Sequence, residues 1–92
     1  MAKPKLSRDQ KETLGEIIES PALARKVDEN EFDTLTKAQW NKIFQVISAS
    51  IEYFASEDDD DSQDWYRDLY GDVEKVMRYY HPAWNSPGSL ES

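Results

Sequence analysis

Two long stretches of the sequence repeat their apolar residues at intervals of three and four, and this spacing limits the fold more than any other feature. In the first stretch the apolar residues are Trp40, Ile43, Phe44, Ile47, Ile51 and Phe54. In the second they are Trp65, Leu69, Val73, Val76 and Tyr80, with Tyr66, Tyr70 and Met77 widening the same face. Such intervals place side chains on one face of an α-helix, whereas a strand requires an interval of two. The sequence therefore predicts two long helices that pack face to face.

Two capping boxes mark where helices begin. Ser7 followed by Gln10 predicts a first helix from about Arg8 to Glu19, and Thr36 followed by Gln39 begins the first of the long helices. In a capping box the hydroxyl of the first residue accepts from the backbone N–H three residues later, and the Gln side chain returns the bond.

Prolines and a segment of turn-forming residues mark the remaining boundaries. Ser20 and Pro21 end the first helix and begin a short second one through Val27, because proline at the first helical position loses no hydrogen bond. Asp28 to Leu35 contains turn-forming residues and is predicted to be a loop with Phe32 and Leu35 as apolar anchors. His81-Pro82 ends the last helix.

The start of the last helix has two readings. Ser56 is one plausible N-cap, with negative charge in the first turn meeting the positive end of the helix dipole. The acids at 57–61 repel each other, however, so this run can also be loop, with Ser62 as the N-cap.

These elements predict an all-α single domain, since 92 residues are too few for two cores. It has three main helices and one short helix, with a flexible arm at 1–6 and a flexible or loosely docked tail at 83–92. The predicted core consists of Trp40, Ile43, Phe44, Ile47, Ile51, Leu69, Val73 and Val76. Phe54 and Trp65 are also expected to pack in it.

The negative charge is concentrated in the second half of the chain. The first 46 residues hold eight acids and eight bases, whereas the last 46 hold eleven acids and three bases. Between Glu52 and Glu74 there are ten acids and one base, Arg67. Such a segment repels nucleic acid and anionic lipid and attracts a protein with a basic groove.

Part of this charge falls at helical spacing. If the last helix extends back to Ser56, one narrow sector carries Glu57, Asp61, Asp64, Asp68 and Asp72. This ladder would span about 22 Å with carboxylates about 5 to 6 Å apart. Tyr79 lies in the same sector, which is separate from the apolar face and is therefore expected to face solvent.

The chain lacks the residues that most classes of enzyme and cofactor site require. The chain has no cysteine, and its one histidine, His81, lies beside a proline, where capping the last helix is the simpler role. The three glycines do not form a phosphate-binding loop. A calcium loop starting at Asp58 would need glycine at Gln63 and glutamate at Leu69. We expect no enzymatic activity, no cofactor and no specific metal site.

The sequence predicts a non-enzymatic acidic inhibitor that binds another protein by imitating nucleic-acid phosphates, in the manner of anti-restriction or anti-CRISPR proteins. The expected partner has a basic, nucleic-acid-binding surface, and no direct contact with nucleic acid or membrane is expected. With no apolar run long enough to span a membrane, we expect a cytoplasmic location. The candidate partner-binding residues are Glu57, Asp58, Asp59, Asp60, Asp61, Asp64, Asp68, Asp72, Tyr79 and Trp84.

A second hypothesis is a small helical interaction module, such as an immunity or regulatory subunit. It would dock its partner through an aromatic patch containing Tyr79 or Trp84, because such side chains are enriched among residues that dominate binding energy. The acids would then mainly speed the encounter. An ordinary solvated acidic face, useful only for solubility, is the alternative to both hypotheses.

Overall fold

The computed structural model describes residues 5–82, and this part of the chain contains four α-helices and no strand. They are α1 (Arg8–Ile18), α2 (Pro21–Asp28), α3 (Lys37–Ser56) and α4 (Asp60–Tyr80). A single turn of 3-10 helix (Phe32–Thr34) lies between α2 and α3, inside the segment predicted to be loop. The all-α fold with three main helices and one short helix is confirmed.

Both predicted capping boxes are present. At α1, Gln10 N donates to Ser7 Oγ at 3.1 Å and Ser7 N donates to Gln10 Oε1 at 2.8 Å. At α3, Gln39 N donates to Thr36 Oγ1 at 3.2 Å and Thr36 N donates to Gln39 Oε1 at 2.9 Å. Each box satisfies two backbone donors that a helix start would otherwise leave unpaired.

The short helix α2 begins as predicted and ends in a tight turn. Pro21 is its first residue, and Ser20 occupies the N-cap position without a capping hydrogen bond from its side chain. At the other end Asn30 adopts a left-handed backbone with φ 59°. Asn30 N donates to Val27 O at 3.2 Å and Glu31 N donates to Lys26 O at 2.8 Å. This is the Schellman pattern, which reverses the chain at the end of a helix.

The core lies between α3 and α4 and is closed by α1, α2 and the 3-10 turn. The eight predicted core positions are buried, apart from Ile51, which is half-buried at the edge of the core. Phe54, also predicted to pack in the core, is only half-buried and lies outside it. Trp40 is fully buried, with the ring of Phe32 at 6.0 Å and the ring of Phe44 at 6.3 Å between centroids. The ring of His81 meets Trp40 edge-on at 6.3 Å.

Leu6 corrects the end of the predicted flexible arm at 1–6, of which residues 1–4 lie outside the described residues. Its side chain is buried with the core residues, so the chain is anchored one residue before the N-cap of α1. An apolar residue at this position commonly fixes the angle at which the chain enters a helix. The predicted tail at 83–92 lies outside the described residues.

Helices α3 and α4 form an antiparallel pair joined by residues 57–59. Gly71 lies on the exposed side of α4, and a methyl group built there would meet nothing within 4 Å. The close helix contact that a glycine can permit is therefore absent at this position.

Candidate functional site

The connection between α3 and α4 determines where the acidic residues point. Asp59 N donates to Phe54 O at 3.0 Å and Asp58 N donates to Ala55 O at 3.3 Å, which is the Schellman pattern again. Asp58 takes the left-handed position with φ 57°. The chain therefore turns within three residues, and an aspartate occupies the site where glycine is most common.

Asp59 is the N-cap of α4, so both sequence readings of this boundary were wrong. Ser62 N donates to Asp59 Oδ1 at 3.2 Å, and Ser62 Oγ donates to Asp59 Oδ2 at 2.8 Å. Ser56 is instead the last residue of α3 and donates to Tyr53 O at 2.7 Å. A carboxylate caps as well as a hydroxyl and also interacts with the helix dipole, which favours Asp59.

This boundary shortens the predicted ladder. Glu57 is the C-cap of α3 and lies outside α4, while the carboxylate of Asp59 is occupied by capping. Three exposed acids remain on one side of α4, namely Asp61, Asp64 and Asp68. They are separated by about 4.5 and 6 Å along the helix axis.

Asp72 does not face solvent as predicted. It is only partly exposed, and its Oδ2 accepts a hydrogen bond from Gln10 Nε2 at 2.8 Å. The bond joins α4 to the first turn of α1. Asp72 therefore has a structural partner within the chain, and the free part of the ladder ends at Asp68.

Six exposed carboxylates remain around the turn and the first turns of α4, and we call them the acidic face. They are Glu57, Asp58, Asp60, Asp61, Asp64 and Asp68. The base in this segment, Arg67, approaches Asp64 at 4.0 Å with both side chains mostly exposed. Such a contact contributes little, so the charge of the face is almost uncompensated.

Trp65 lies at the edge of the acidic face, which corrects its prediction as a core residue. Its side chain is 37% exposed, and it lies one helical turn from both Asp61 and Asp68. The spacing that suggested burial places Trp65 on the margin of the apolar face, where burial depends on what lies opposite.

Trp65 is one end of a row of four aromatic rings that crosses from α4 to α3. Successive centroids lie 5.1 Å apart from Trp65 to Tyr66, 5.3 Å from Tyr66 to Phe54 and 5.1 Å from Phe54 to Tyr53. The inner rings are partly buried, while Tyr53 at the other end is 58% exposed. An exposed aromatic side chain thus flanks the acidic face on each helix.

An open groove of about 380 Å³ begins at this row and runs between α1 and α3. Its apolar lining comes from Ile17, Val46, Ala49, Tyr53, Phe54 and Tyr66. Glu19 also lines it and holds a left-handed backbone with φ 59°, which is uncommon for glutamate. Glu19 therefore combines backbone strain with a position at the mouth of a groove.

Tyr66, at the end of the groove, is a tyrosine with a raised pKa. Burial, and secondly the negative charge of Glu16, raises the pKa of Tyr66 above its usual value. The phenol therefore stays protonated through the neutral range and remains a hydrogen-bond donor. Glu16 directly precedes Ile17, which lines the groove, and its side chain is exposed.

The two predicted aromatic contacts lie away from this region or outside the described residues. Tyr79 is 51% exposed near the C-terminal end of α4, more than three helical turns beyond Asp68, with its ring against Tyr80 at 5.0 Å. Trp84 lies outside the described residues.

Tyr53 and the groove were missed by the sequence analysis. Tyr53 lies one helical turn before Glu57 and one residue from the apolar face of α3, so its spacing fits neither the core nor the acidic ladder. The groove itself carries no sequence signal, because it depends on how far α1 lies from α3.

Within residues 5–82 no three carboxylate or histidine side chains converge in a way that suits a metal ion. None of the helices described is long and apolar enough to cross a membrane. His81 is the C-cap of α4, and its backbone N–H donates to Met77 O at 2.8 Å.

Comparison with known proteins found no matching family model, no matching curated protein and no matching solved structure.

Proposed function

We propose that this chain is a non-enzymatic inhibitor that binds a protein through that protein's basic, nucleic-acid-binding surface. The observation that carries the proposal is the acidic face. Six exposed carboxylates lie on a tight turn and one helix, and their nearest base, Arg67, makes only a 4.0 Å contact with Asp64. A surface that binds nucleic acid presents lysine and arginine at intervals suited to phosphates, and this face offers anions at similar intervals.

The shape of the face also supports the proposal. Three of the carboxylates follow the axis of α4, and the others lie at its first residue and on the preceding turn, which is held by backbone hydrogen bonds. Anions held on a helix and a hydrogen-bonded turn lose less conformational entropy on binding than anions on a disordered tail. Repulsion within the face disfavours folding, and a basic partner would relieve it.

The test uses two triple variants that remove the same charge. Asp61→Asn, Asp64→Asn and Asp68→Asn together neutralise the exposed ladder. Asp28→Asn, Glu31→Gln and Asp33→Asn neutralise three exposed acids at the end of α2 and in the segment that follows it, as the control.

Each form of the protein is immobilised and exposed to a lysate of its host, and bound proteins are eluted with duplex DNA or RNA at constant ionic strength. We expect nucleic-acid-handling proteins to be retained by the wild type and the control and lost by the ladder variant. Polyglutamate of matched charge should elute them less well than nucleic acid. Retention by the ladder variant, or elution by polyglutamate alone, would contradict the proposal.

The second candidate is an interaction module that docks through aromatic side chains, and the exposure of Tyr53 and Trp65 favours it. In that case binding resists salt, and truncating an aromatic residue lowers affinity more than neutralising the ladder does. Tyr53→Ala, Trp65→Ala and Tyr79→Ala compared in the same assay distinguish a docking surface beside the α3–α4 turn from one at the C-terminal end of α4. A salt-resistant partner that nucleic acid does not displace would replace the first candidate with this one.

A further inference from the structure

The groove between α1 and α3 lies beside the acidic face but is not part of it. It is open, has a volume of about 380 Å³ and carries an apolar lining that ends at the rings of Tyr53, Phe54 and Tyr66. This volume falls within the range of about 300 to 1,000 Å³ typical of ligand pockets. An apolar groove exposed to water is a site where another apolar group gains by burial.

The mouth of the groove is acidic at the end nearest α4. Glu19 lines it, the exposed Glu16 directly precedes the lining residue Ile17, and Glu57 lies one helical turn after Tyr53. Lys42 lies on the same side of α3 but one turn before Val46, at the far end. Any occupant entering from the α4 end meets negative charge around an apolar floor.

This charge selects among possible occupants. A second copy of the chain carries a net charge of −8, and the residues after 82 contain one acid and no base. The second copy would be repelled by the glutamates at the mouth, and the residues after 82 offer no base to pair with them. A segment that carries apolar side chains flanked by lysine or arginine complements both the floor and the mouth.

We infer that the groove binds an apolar side chain from a cationic amphipathic segment of the partner protein, with Glu16, Glu19 and Glu57 pairing with the basic residues beside it. The inference rests on the proposed function, because the same partner would place its basic surface on the acidic face. The groove would be a second contact with that partner. It would add affinity by burying an apolar side chain, whereas the acidic face adds electrostatic attraction.

The backbone of Glu19 agrees with this role. Glutamate in the left-handed region is strained, and glycine would relieve the strain at the end of a helix. Residues held in such conformations cluster at functional sites. A glutamate here places a carboxylate at the mouth of the groove, which glycine cannot do.

The experiment uses two synthetic peptides as probes. One is a short helical peptide with lysines on one face and leucines on the other, and the second replaces every leucine with glutamine. Both carry the same charge, so only the first can fill the groove. Affinities are measured by calorimetry, and amide chemical shifts report where each peptide binds.

A matched pair of substitutions tests the groove without touching the core. Ala49→Trp fills the groove from an exposed position in α3, and Ala38→Trp places the same side chain at an exposed position in the first turn of that helix. Circular dichroism confirms that each variant folds. Tyr53→Ala, which opens one end of the groove at a largely exposed position, is the second test.

We expect the wild type to bind the leucine peptide at least about tenfold more tightly than the glutamine peptide, because a leucine side chain becomes buried. Ala49→Trp should abolish this preference, Tyr53→Ala should reduce it and Ala38→Trp should keep it. Equal binding of the two peptides, or a preference that survives Ala49→Trp, would overturn the inference. So would a dimer that Ala49→Trp converts to a monomer, since the groove would then bind a second copy.

The ladder variant separates this inference from the proposed function. Neutralising Asp61, Asp64 and Asp68 should weaken both peptides to the same degree and leave the preference for leucine unchanged. If the ladder variant binds both peptides as well as the wild type does, while Ala49→Trp removes the preference for leucine, the groove is a binding site and the acidic face is not. If the ladder variant binds both peptides more weakly, while Ala49→Trp keeps the preference, the acidic face is a binding site and the groove is not.

Discussion

The two ends of the α3–α4 pair contain the same kinds of side chain and bury them to different degrees. At one end Trp40 and Phe44 are buried with Met77, and the 3-10 turn covers them with Phe32. At the other end Tyr53 and Trp65 remain exposed beside acids. The connections explain the difference, because eight residues join α2 to α3 and only residues 57–59 join α3 to α4. The three-residue connection reverses the chain, but it contributes no apolar side chain that could pack over the aromatic rings.

The largest expected effect comes from truncating the tryptophan at each end. Trp40→Ala should lower the free energy of unfolding by about 3 to 5 kcal/mol, because it leaves a cavity among packed rings. Trp65→Ala should cost much less, since over a third of its side chain already meets water. Urea unfolding followed by circular dichroism measures both. Equal losses would show that the end near the turn is packed as tightly as the other.

A smaller effect separates Asp72 from Asp68. Asp72→Ala removes the acceptor of the 2.8 Å bond from Gln10, whereas Asp68→Ala removes an exposed acid for which the structure shows no hydrogen bond. Alanine favours helix equally at both positions, so the difference reports the bond. We expect Asp72→Ala to be less stable than Asp68→Ala by about 1 kcal/mol. Equal stabilities would show that the bond from Gln10 does not stabilise the fold, and Asp72 would then count as part of the acidic ladder.

The left-handed residues predict a gain in stability. Glu19→Gly should raise the free energy of unfolding by about 0.5 to 1 kcal/mol, because glycine adopts this conformation without strain. Asn30→Gly should gain less, since asparagine tolerates the same backbone. Thermal unfolding compares them. If the groove acts as inferred, Glu19→Gly also weakens binding of the leucine peptide, so stability and binding move in opposite directions.

The smallest effect is the dependence of stability on alkaline pH through Tyr66. Because the pKa of Tyr66 is raised in the folded protein, the folded state holds this proton more tightly than the unfolded state. Its contribution is complete below about pH 10 and is lost as pH rises through the raised pKa. Tyr66→Phe should therefore lose less stability than the wild type between about pH 9 and pH 11. Glu16→Gln should lose an intermediate amount, and identical losses in all three would exclude this contribution.

The sequence predicted the helices well because their signals are local. The capping boxes at Ser7 and Thr36 depend on residues three apart, and each forms as expected. The predicted start of α4 was wrong, because several acids and two serines are all suitable for the one N-cap position. The Schellman turn at the end of α3, in which Phe54 O accepts from Asp59 N, leaves Asp59 in the N-cap position of α4.

The site was harder to predict because it depends on contacts between helices. Periodicity places Asp72 with Asp68, but α1 supplies Gln10 only to the former. Periodicity likewise groups Trp65 with Leu69, although only Leu69 lies under a neighbouring helix and is fully buried. Burial of a residue at the edge of a helix's apolar face depends on which other helix packs there. The spacing of apolar residues within one helix does not contain this information.

Gly71 lies between two parts of α4 that differ in burial. It divides the helix between the turns that carry the acidic face and the turns that carry Val73, Val76 and Met77, and it has no neighbour that needs the space. A glycine at such a site weakens the propagation of helical order through it. Amides at 60–70 should therefore exchange with deuterated solvent faster than those at 73–80, as a separate unit of local unfolding. A partner seated on the acidic face would slow that exchange while leaving the other half unchanged.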